Sequence, residues 1–173
     1  LHINGSSLVS GLAWDYDQLG HGTHVAGTIA AIGDNNVGVR GVVANGVLPL
    51  HIVKIFGASG STFSSIVYSA VQECLAVGAR IINMSLGGPI SSIAEQALYE
   101  KIADAGVLVF AASGNSGTTS YNFPASYPTV VSVGAVDADR NIAYFSQQND
   151  QVAPLSAGFL LFEKILSKDV EIT

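Results

Sequence analysis

The sequence predicts an α/β protein with a doubly wound, mostly parallel sheet that helices cover on both faces, in three layers. Short segments that are apolar throughout alternate along the chain with longer segments in which apolar residues recur at helical spacing. Strands that are apolar on both faces are typical of parallel sheets, because helices pack against such sheets from two sides. With 173 residues, the chain is long enough for one domain with a sizeable core.

Four short apolar runs bounded by turn residues are the predicted strands. They are His51–Phe56, Arg80–Ser85, Gly106–Ala112 and Thr129–Val136. Residues 1–20 are polar and rich in turn residues, so we expect loops there.

Three segments are predicted to be helices. Thr23–Ile32 is an uninterrupted run of mainly small and apolar residues, a composition typical of a buried helix. Apolar residues recur at helical spacing in Phe63–Val77, which indicates an amphipathic helix. The third predicted helix is Ser92–Ala105, and Ser91 or Ser92 is expected to cap its start.

The composition excludes several classes of function. The net charge of −6 leaves no basic stripe for a nucleic-acid partner. No segment approaches the roughly 18 apolar residues of a membrane span, so we expect no membrane partner. Cys74 is the single cysteine, which excludes an internal disulfide and a thiolate metal cluster. It lies on the apolar side of a predicted helix, where a buried, inert thiol is expected.

Two of the four histidines open the first predicted helix, in the motif "HGTH" (His21–His24). Such histidines can pack against or cap a helix, bind a metal, or act as a catalytic base. A zinc site needs three or four protein ligands, and the nearest acids, Asp15 and Asp17, lack ligand spacing. His21 precedes the predicted helix, where the positive end of the helix dipole disfavours the imidazolium. A neutral ring can accept a proton, as a general base must.

Two loops follow predicted strands, at the sheet edge where parallel α/β folds bind ligands. The segment "SLGGP" (Ser85–Pro89) can be a simple strand-to-helix turn, or its glycines can let another backbone approach closely. The segment "SGNSG" (Ser113–Gly117) can be a simple turn around Asn115. Alternatively, the Asn115 amide donates a hydrogen bond to an oxygen that becomes charged during acyl transfer. Each loop alone leaves both interpretations open.

Taken together, "HGTHVAGTIAA", "INMSLGG" and "AASGNSG" closely resemble the subtilases, the subtilisin-like serine proteases, from about Gly20 to Ser146. The resemblance implies an incomplete subtilisin-like peptidase domain in residues 1–150, followed by a divergent tail in residues 151–173. It implies a secreted serine-type endopeptidase that works through an acyl-enzyme and cleaves polypeptides bound in an extended conformation. It also leaves room for a propeptide in the full-length protein.

The resemblance assigns a role to each motif. It implies that His21 is the general base, that Asn115 is the oxyanion donor, and that His24 packs behind the base. The implied substrate-binding residues, which pair with the peptide and border its main pocket, are Ser85, Leu86, Gly87 and Gly114.

Two family motifs are missing from this sequence. No Asp-Ser/Thr-Gly precedes His21, and no Gly-Thr-Ser-Met-Ala follows the Asn115 loop. We therefore expect this chain to carry only the His of the Asp/His/Ser triad, together with Asn115, and to be inactive alone. The alternative is a non-catalytic, subtilase-like module that binds peptides without cutting them. A nucleotide-binding domain is excluded, because no Gly-x-Gly-x-x-Gly opens a helix after the first strand.

The oxygen-rich segment "IGDNNVGV" follows the first helix. Subtilases hold a structural calcium ion in the matching loop, and hard cations take carboxylate, amide and carbonyl oxygens. A solvated turn is the alternative. The expected ligands are the side chain of Asn35, with Asp34 or Asn36 as substitutes, and the carbonyls of Ile32, Val37 and Val39.

The resemblance also predicts the geometry of two peptide bonds. Subtilases hold the matching aromatic–proline bond cis, so we expect cis at Phe123–Pro124 and trans at Tyr127–Pro128.

Overall fold

The computed structural model describes residues 3–152 and divides the chain into two compact units, Leu1–Ala79 and Arg80–Thr173. Among the described residues, the first unit contains two helices and a parallel sheet of two strands, and the second contains one helix and a parallel sheet of three strands. The predicted α/β class and the parallel strands are therefore confirmed. The predicted tail lies outside the described residues from position 153 onward.

The first unit is built on two parallel strands, β1 (Ile3–Ser7) and β2 (Leu50–Lys54). The prediction of loops throughout residues 1–20 is wrong for β1. Its sequence, "INGSS", has no apolar pattern, and the ladder with β2 makes it a strand. Asn4 lies opposite His51, and its Oδ1 is 2.8 Å from His51 Nδ1.

Two helices complete the first unit. Helix α1 is His21–Ala30, and Ala30 is its only buried residue, so the prediction of a buried helix is wrong. Six of its ten residues are Gly, Thr or His, which provide no large apolar side chain to bury. Helix α2 is Ser64–Ala76, with Val67, Ala70 and Val71 buried as its spacing predicted.

The single cysteine lies near the end of α2. Cys74 is half-buried rather than buried. Burial, and then the negative charge of Glu73, raise the pKa of the Cys74 thiol. A raised pKa disfavours the thiolate, which is the reactive form, and this agrees with the prediction of an inert thiol.

The second unit is built on three parallel strands in the order β3, β4, β5. They are shorter than predicted and comprise Ile81–Met84, Leu108–Ala112 and Val131–Val133. Helix α3 (Ile93–Asp104) starts after Ser92, whose Oγ accepts a hydrogen bond from Glu95 N (3.4 Å), so the predicted Ser92 cap is confirmed. The core includes Ile82, Met84, Val109 and Ala111 from the strands and Leu98, Tyr99 and Ile102 from the helix.

The Phe123–Pro124 peptide bond is cis, as predicted, and Tyr127–Pro128 is not among the cis bonds of the described residues. No helix within residues 3–152 is long and apolar enough to cross a membrane.

Candidate active site

His21 is the first residue of α1, because the helix begins two positions before the predicted start at Thr23. The preceding Gly20 has a left-handed backbone, with φ 77°, and offers no side-chain cap. His21 itself is half-buried. His24 lies one turn along, its N–H bonded to Gly20 O (2.9 Å), and its side chain is exposed. The expectation that His24 packs behind the base is therefore wrong in this structure, because α1 turns that position toward solvent.

Asp17 organises the start of α1, a role that sequence analysis missed. Its Oδ2 accepts hydrogen bonds from both the backbone N–H and the hydroxyl of Thr23, each at 2.8 Å. Its Oδ1 accepts from Gly20 N (3.0 Å) and Leu19 N (3.3 Å). Asp17 thus binds residues on both sides of His21. The usual sequence signal for the start of a helix is a capping residue such as Asp directly before it, whereas Asp17 lies four positions before His21.

The hydrogen bonds of Asp17 also set its protonation. Partial burial raises the pKa of the Asp17 carboxyl, but hydrogen bonds from Thr23, Gly20 and Leu19 together outweigh it. The pKa of Asp17 is therefore held below its ordinary value, and its charge lies near the positive end of the helix dipole.

The predicted calcium loop, residues 32–39, is closed at its base by backbone hydrogen bonds. Gly41 N donates to Ala31 O (2.9 Å), and Gly33 N donates to Ala44 O (3.0 Å). A Cβ at Gly41 would lie 2.7 Å from the backbone nitrogen of Ala30, so the returning segment needs glycine there. This closure holds the loop in one place on the end of α1.

Within this loop most of the oxygen atoms that could bind a cation are neutral. Asn35 Oδ1 accepts a hydrogen bond from Val37 N (3.0 Å). Asp34 forms an ion pair with Arg40, and both Asp34 and Asn36 have φ 59°. Across residues 3–152 no group of three His, Cys, Asp or Glu side chains could hold a metal. Amide and carbonyl oxygens are among the ligands that a hard cation takes, whereas the Asp34 carboxylate is paired with Arg40.

In the second unit, the segment after β3 pairs with a distant part of the chain. Gly88 and Phe123 form an antiparallel bridge in which each N–H donates to the other's carbonyl at 2.8 Å. The side chain of Asn122 packs against Gly87, where a Cβ would overlap its amide nitrogen. Asn122 Nδ2 also donates to Ala112 O (3.1 Å), the last residue of β4. The two predicted substrate loops therefore meet at Asn122.

Asn115 is exposed on the turn that follows β4. The turn contains two glycines with positive φ, Gly114 (111°) and Gly117 (63°). A Cβ at Gly114 would lie 3.4 Å from Asn122 Cγ, so Gly114 and Gly87 contact the same side chain. The sequence assigned no role to Asn122, although it directly precedes Phe123–Pro124, and only its contacts single it out.

The predicted site residues are divided between the two units. His21, Ile32, Asn35, Val37 and Val39 belong to the first unit, whereas Ser85, Leu86, Gly87, Gly114 and Asn115 belong to the second.

Comparisons with known proteins agree with the family that the three motifs indicate. The family model described as "Subtilase family" matches residues 11–158. The chain belongs to the subtilase family. Over 164 residues this subtilase chain is 40% identical to subtilisin DY of Bacillus licheniformis, covering 92% of the chain and 59% of that protein. It is 43% identical over 153 residues to subtilisin Savinase of Lederbergia lenta, covering 87% of the chain and 56% of that protein.

Two solved protease structures share the fold. The psychrophilic subtilisin-like protease Apa1 of Pseudoalteromonas sp. AS-11 superposes with a TM-score of 0.81 at 44% identity, covering 87% of this chain and 35% of that one. The prenylagaramide maturation protease PagA superposes with a TM-score of 0.67 at 28% identity, covering 87% of this chain and 53% of that one. This subtilase chain therefore spans less than two thirds of the length of these relatives.

Proposed function

We propose that the protein carrying this chain is a secreted serine-type endopeptidase in which His21 is the general base and Asn115 the oxyanion donor. Its subtilase membership supports this activity. The observation that supports it most directly is the exposed Asn115, presented by a turn with two positive-φ glycines just after β4. A donor that the backbone holds before the substrate arrives needs no reorganisation during the reaction.

The chemistry follows from these two side chains. A serine hydroxyl attacks the peptide carbonyl, and His21 takes the hydroxyl proton as the new C–O bond forms. The carbonyl oxygen becomes negatively charged, and the Asn115 amide donates a hydrogen bond to it. His21 then gives its proton to the leaving amine as the C–N bond breaks. Water hydrolyses the acyl-enzyme by the same steps, with His21 again as base.

The proposed substrate is an extended polypeptide that lies along Ser85–Gly87. Adding a substrate strand gives affinity through backbone hydrogen bonds and tolerates many side chains. The neighbouring Gly88 already forms an antiparallel bridge with Phe123, so the backbone here is suited to strand pairing. The contact of Gly87 with Asn122 keeps that position free of a side chain.

We also propose that the aspartate and the nucleophilic serine of the triad lie outside these 173 residues. Neither family motif occurs at the matching positions of this sequence. The triad acts as a unit, and in subtilisin, where this was measured, removing the serine costs about as much activity as removing all three residues. The isolated chain should therefore not hydrolyse peptides.

Turnover and active-site labelling test this function. The full-length protein should hydrolyse a peptide ester and should react with a serine-directed phosphonate, and H21A should abolish turnover. N115A should lower the rate by roughly 10²–10³, a range taken from subtilisin. The matched control is H24A, which should leave turnover unchanged, since His24 lies exposed on the same helix.

If the full-length protein binds peptides without cutting them, it is a peptide-binding module instead. Stoichiometric labelling of the isolated chain would contradict the assignment of the serine.

We propose a structural calcium ion in the loop at residues 32–39. Asn35 and the carbonyls of Ile32, Val37 and Val39 would hold it. The backbone closure at Gly41 supports this proposal, because a loop that is already closed loses less entropy on binding an ion. Arg40 holds Asp34 in an ion pair, so Asp34 is not needed as a ligand.

A further inference from the structure

Gln147 is a buried amide far along the chain from the catalytic motifs. Only 3% of it is exposed, and it belongs to no helix or strand. An amide removed from water is costly unless its donors and acceptors are bonded. The bonds that Gln147 makes therefore decide where the surrounding backbone lies.

The side chain of Gln147 binds the loop that carries Asn115. Its Oε1 accepts hydrogen bonds from Ser116 Oγ (2.9 Å), Thr118 N (3.0 Å) and Thr118 Oγ1 (3.3 Å). Its Nε2 donates to Ser120 O (3.0 Å). One side chain thus connects three residues of the segment after Asn115, namely Ser116, Thr118 and Ser120.

The backbone around Gln147 holds the same loop on both sides of Asn115. Gln147 N donates to Gly114 O (3.2 Å), and Gly117 N donates to Phe145 O (2.7 Å). The contact is close, since a Cβ at Gly114 would lie 2.8 Å from Gln147 Cγ. Gln147 therefore has backbone or side-chain bonds to residues immediately before and after Asn115.

We propose that Gln147 is the positioning residue for Asn115 in the peptidase reaction. The inference rests on the proposed function, because the position of Asn115 affects catalysis only if Asn115 is the oxyanion donor. Asn115 lies on an exposed loop, and loops are mobile unless their polar groups are bonded. The four hydrogen bonds of the Gln147 side chain hold this loop in one conformation. The amide of Asn115 then stands in place before the oxyanion forms.

The first test measures the loop itself and does not need activity. Q147M removes both the acceptor and the donor at nearly constant volume, and Q148M is the control, since Gln148 is the exposed neighbour. We expect amide hydrogen exchange at Thr118 to become faster in Q147M and to stay unchanged in Q148M. Unchanged exchange at Thr118 in Q147M would overturn the inference.

The second test measures catalysis in the full-length protein. We expect Q147M to lower kcat about 10- to 100-fold with little change in KM, because a small misplacement of a catalytic group costs up to that much. In an N115A background, Q147M should have almost no further effect on kcat, since Gln147 acts through Asn115. A merely structural role would lower kcat equally in both backgrounds, and that result would overturn the inference.

A third variant separates the acceptor of the Gln147 side chain from its donor. Q147E keeps Oε1 as an acceptor for Ser116 and Thr118 but loses the donor to Ser120 O. We expect kcat of Q147E to lie between wild type and Q147M. If the wild-type protein shows no peptidase activity, the proposed function fails, and hydrogen exchange at Thr118 still decides whether Gln147 holds the loop.

Discussion

The backbone of Gly87 lies so close to Asn122 that a methyl group there would overlap the Asn122 amide nitrogen and lie 2.8 Å from its Cγ. G87A should therefore destabilise the protein by about 1–3 kcal/mol, the usual cost of overpacking. Denaturant unfolding measures this change. The control is G88A, since a Cβ at Gly88 would meet no atom within 4 Å. In an N122G background the cost of G87A should fall toward zero, and an undiminished cost would show that the contact is not its cause.

Asp17 should stabilise the start of α1 in a pH-dependent way. Its hydrogen bonds hold its folded pKa below the ordinary value of 3.8. This contribution is therefore fully present above pH 3.8 and is lost as the pH falls through the lower, folded pKa. We expect D17A to lower the unfolding free energy at pH 6 by about 1 kcal/mol, as for other helix-capping acceptors. D15A, at an exposed position of the same segment, is the control.

Melting curves at several pH values check this prediction. The difference in Tm between wild type and D17A should be largest near pH 6 and should narrow toward pH 3. A difference that stays constant across this range would mean that the Asp17 charge has no part in the cap.

The proposed calcium ion should raise the melting temperature. Calcium that binds only the folded protein stabilises it by mass action, so Tm should rise with added Ca²⁺ and fall with a chelator. N35A should remove most of this response. N45A is the matched control, because Asn45 makes the same type of turn, with its Oδ1 bonded to Val47 N (3.3 Å). Equal responses in N35A and wild type would exclude Asn35 as a ligand.

The charged carboxylate of Glu95 should lower the folding stability of the protein at neutral pH. Burial raises the pKa of this carboxyl above its ordinary 4.5, although the hydrogen bond from Tyr127 partly lowers it. The Tyr127 hydroxyl donates to Glu95 Oε2 at 3.0 Å. The stabilisation that goes with a raised pKa is present below pH 4.5 and is lost as the pH rises through the folded pKa.

A neutral amide at position 95 tests this directly. E95Q should raise Tm relative to wild type at pH 7, and the gain should disappear below pH 4. E100Q makes the same change at an exposed position of the same helix and should give no such gain. A lower Tm for E95Q at pH 7 would show that the charge of Glu95 stabilises the start of α3.

The local pattern of residues was enough to predict most of the helices and strands of this protein. Helical spacing located α2, and apolar runs located β2, β3, β4 and β5, because burial of one face or both gives a short segment a regular pattern of apolar residues. The motifs around His21 and Asn115 were recognisable for a related reason. Their residues are consecutive, and the turn or helix start that presents each side chain is encoded in the same few positions.

Only the structure revealed the role of Asp17, whose partners lie within six positions, and the roles of β1, Asn122 and Gln147, whose partners are distant. Strand β1 is polar, and it is a strand because β2 provides its hydrogen-bond partners. Asn122 and Gln147 bind segments distant in sequence; Gln147 and Ser116, for example, are 31 positions apart. A single sequence carries no local trace of such contacts, since any polar residue can hydrogen-bond whatever the fold places beside it. The sequence alone therefore indicated the groups that we propose carry the chemistry, and the packing of distant segments decided what surrounds the loop of Asn115.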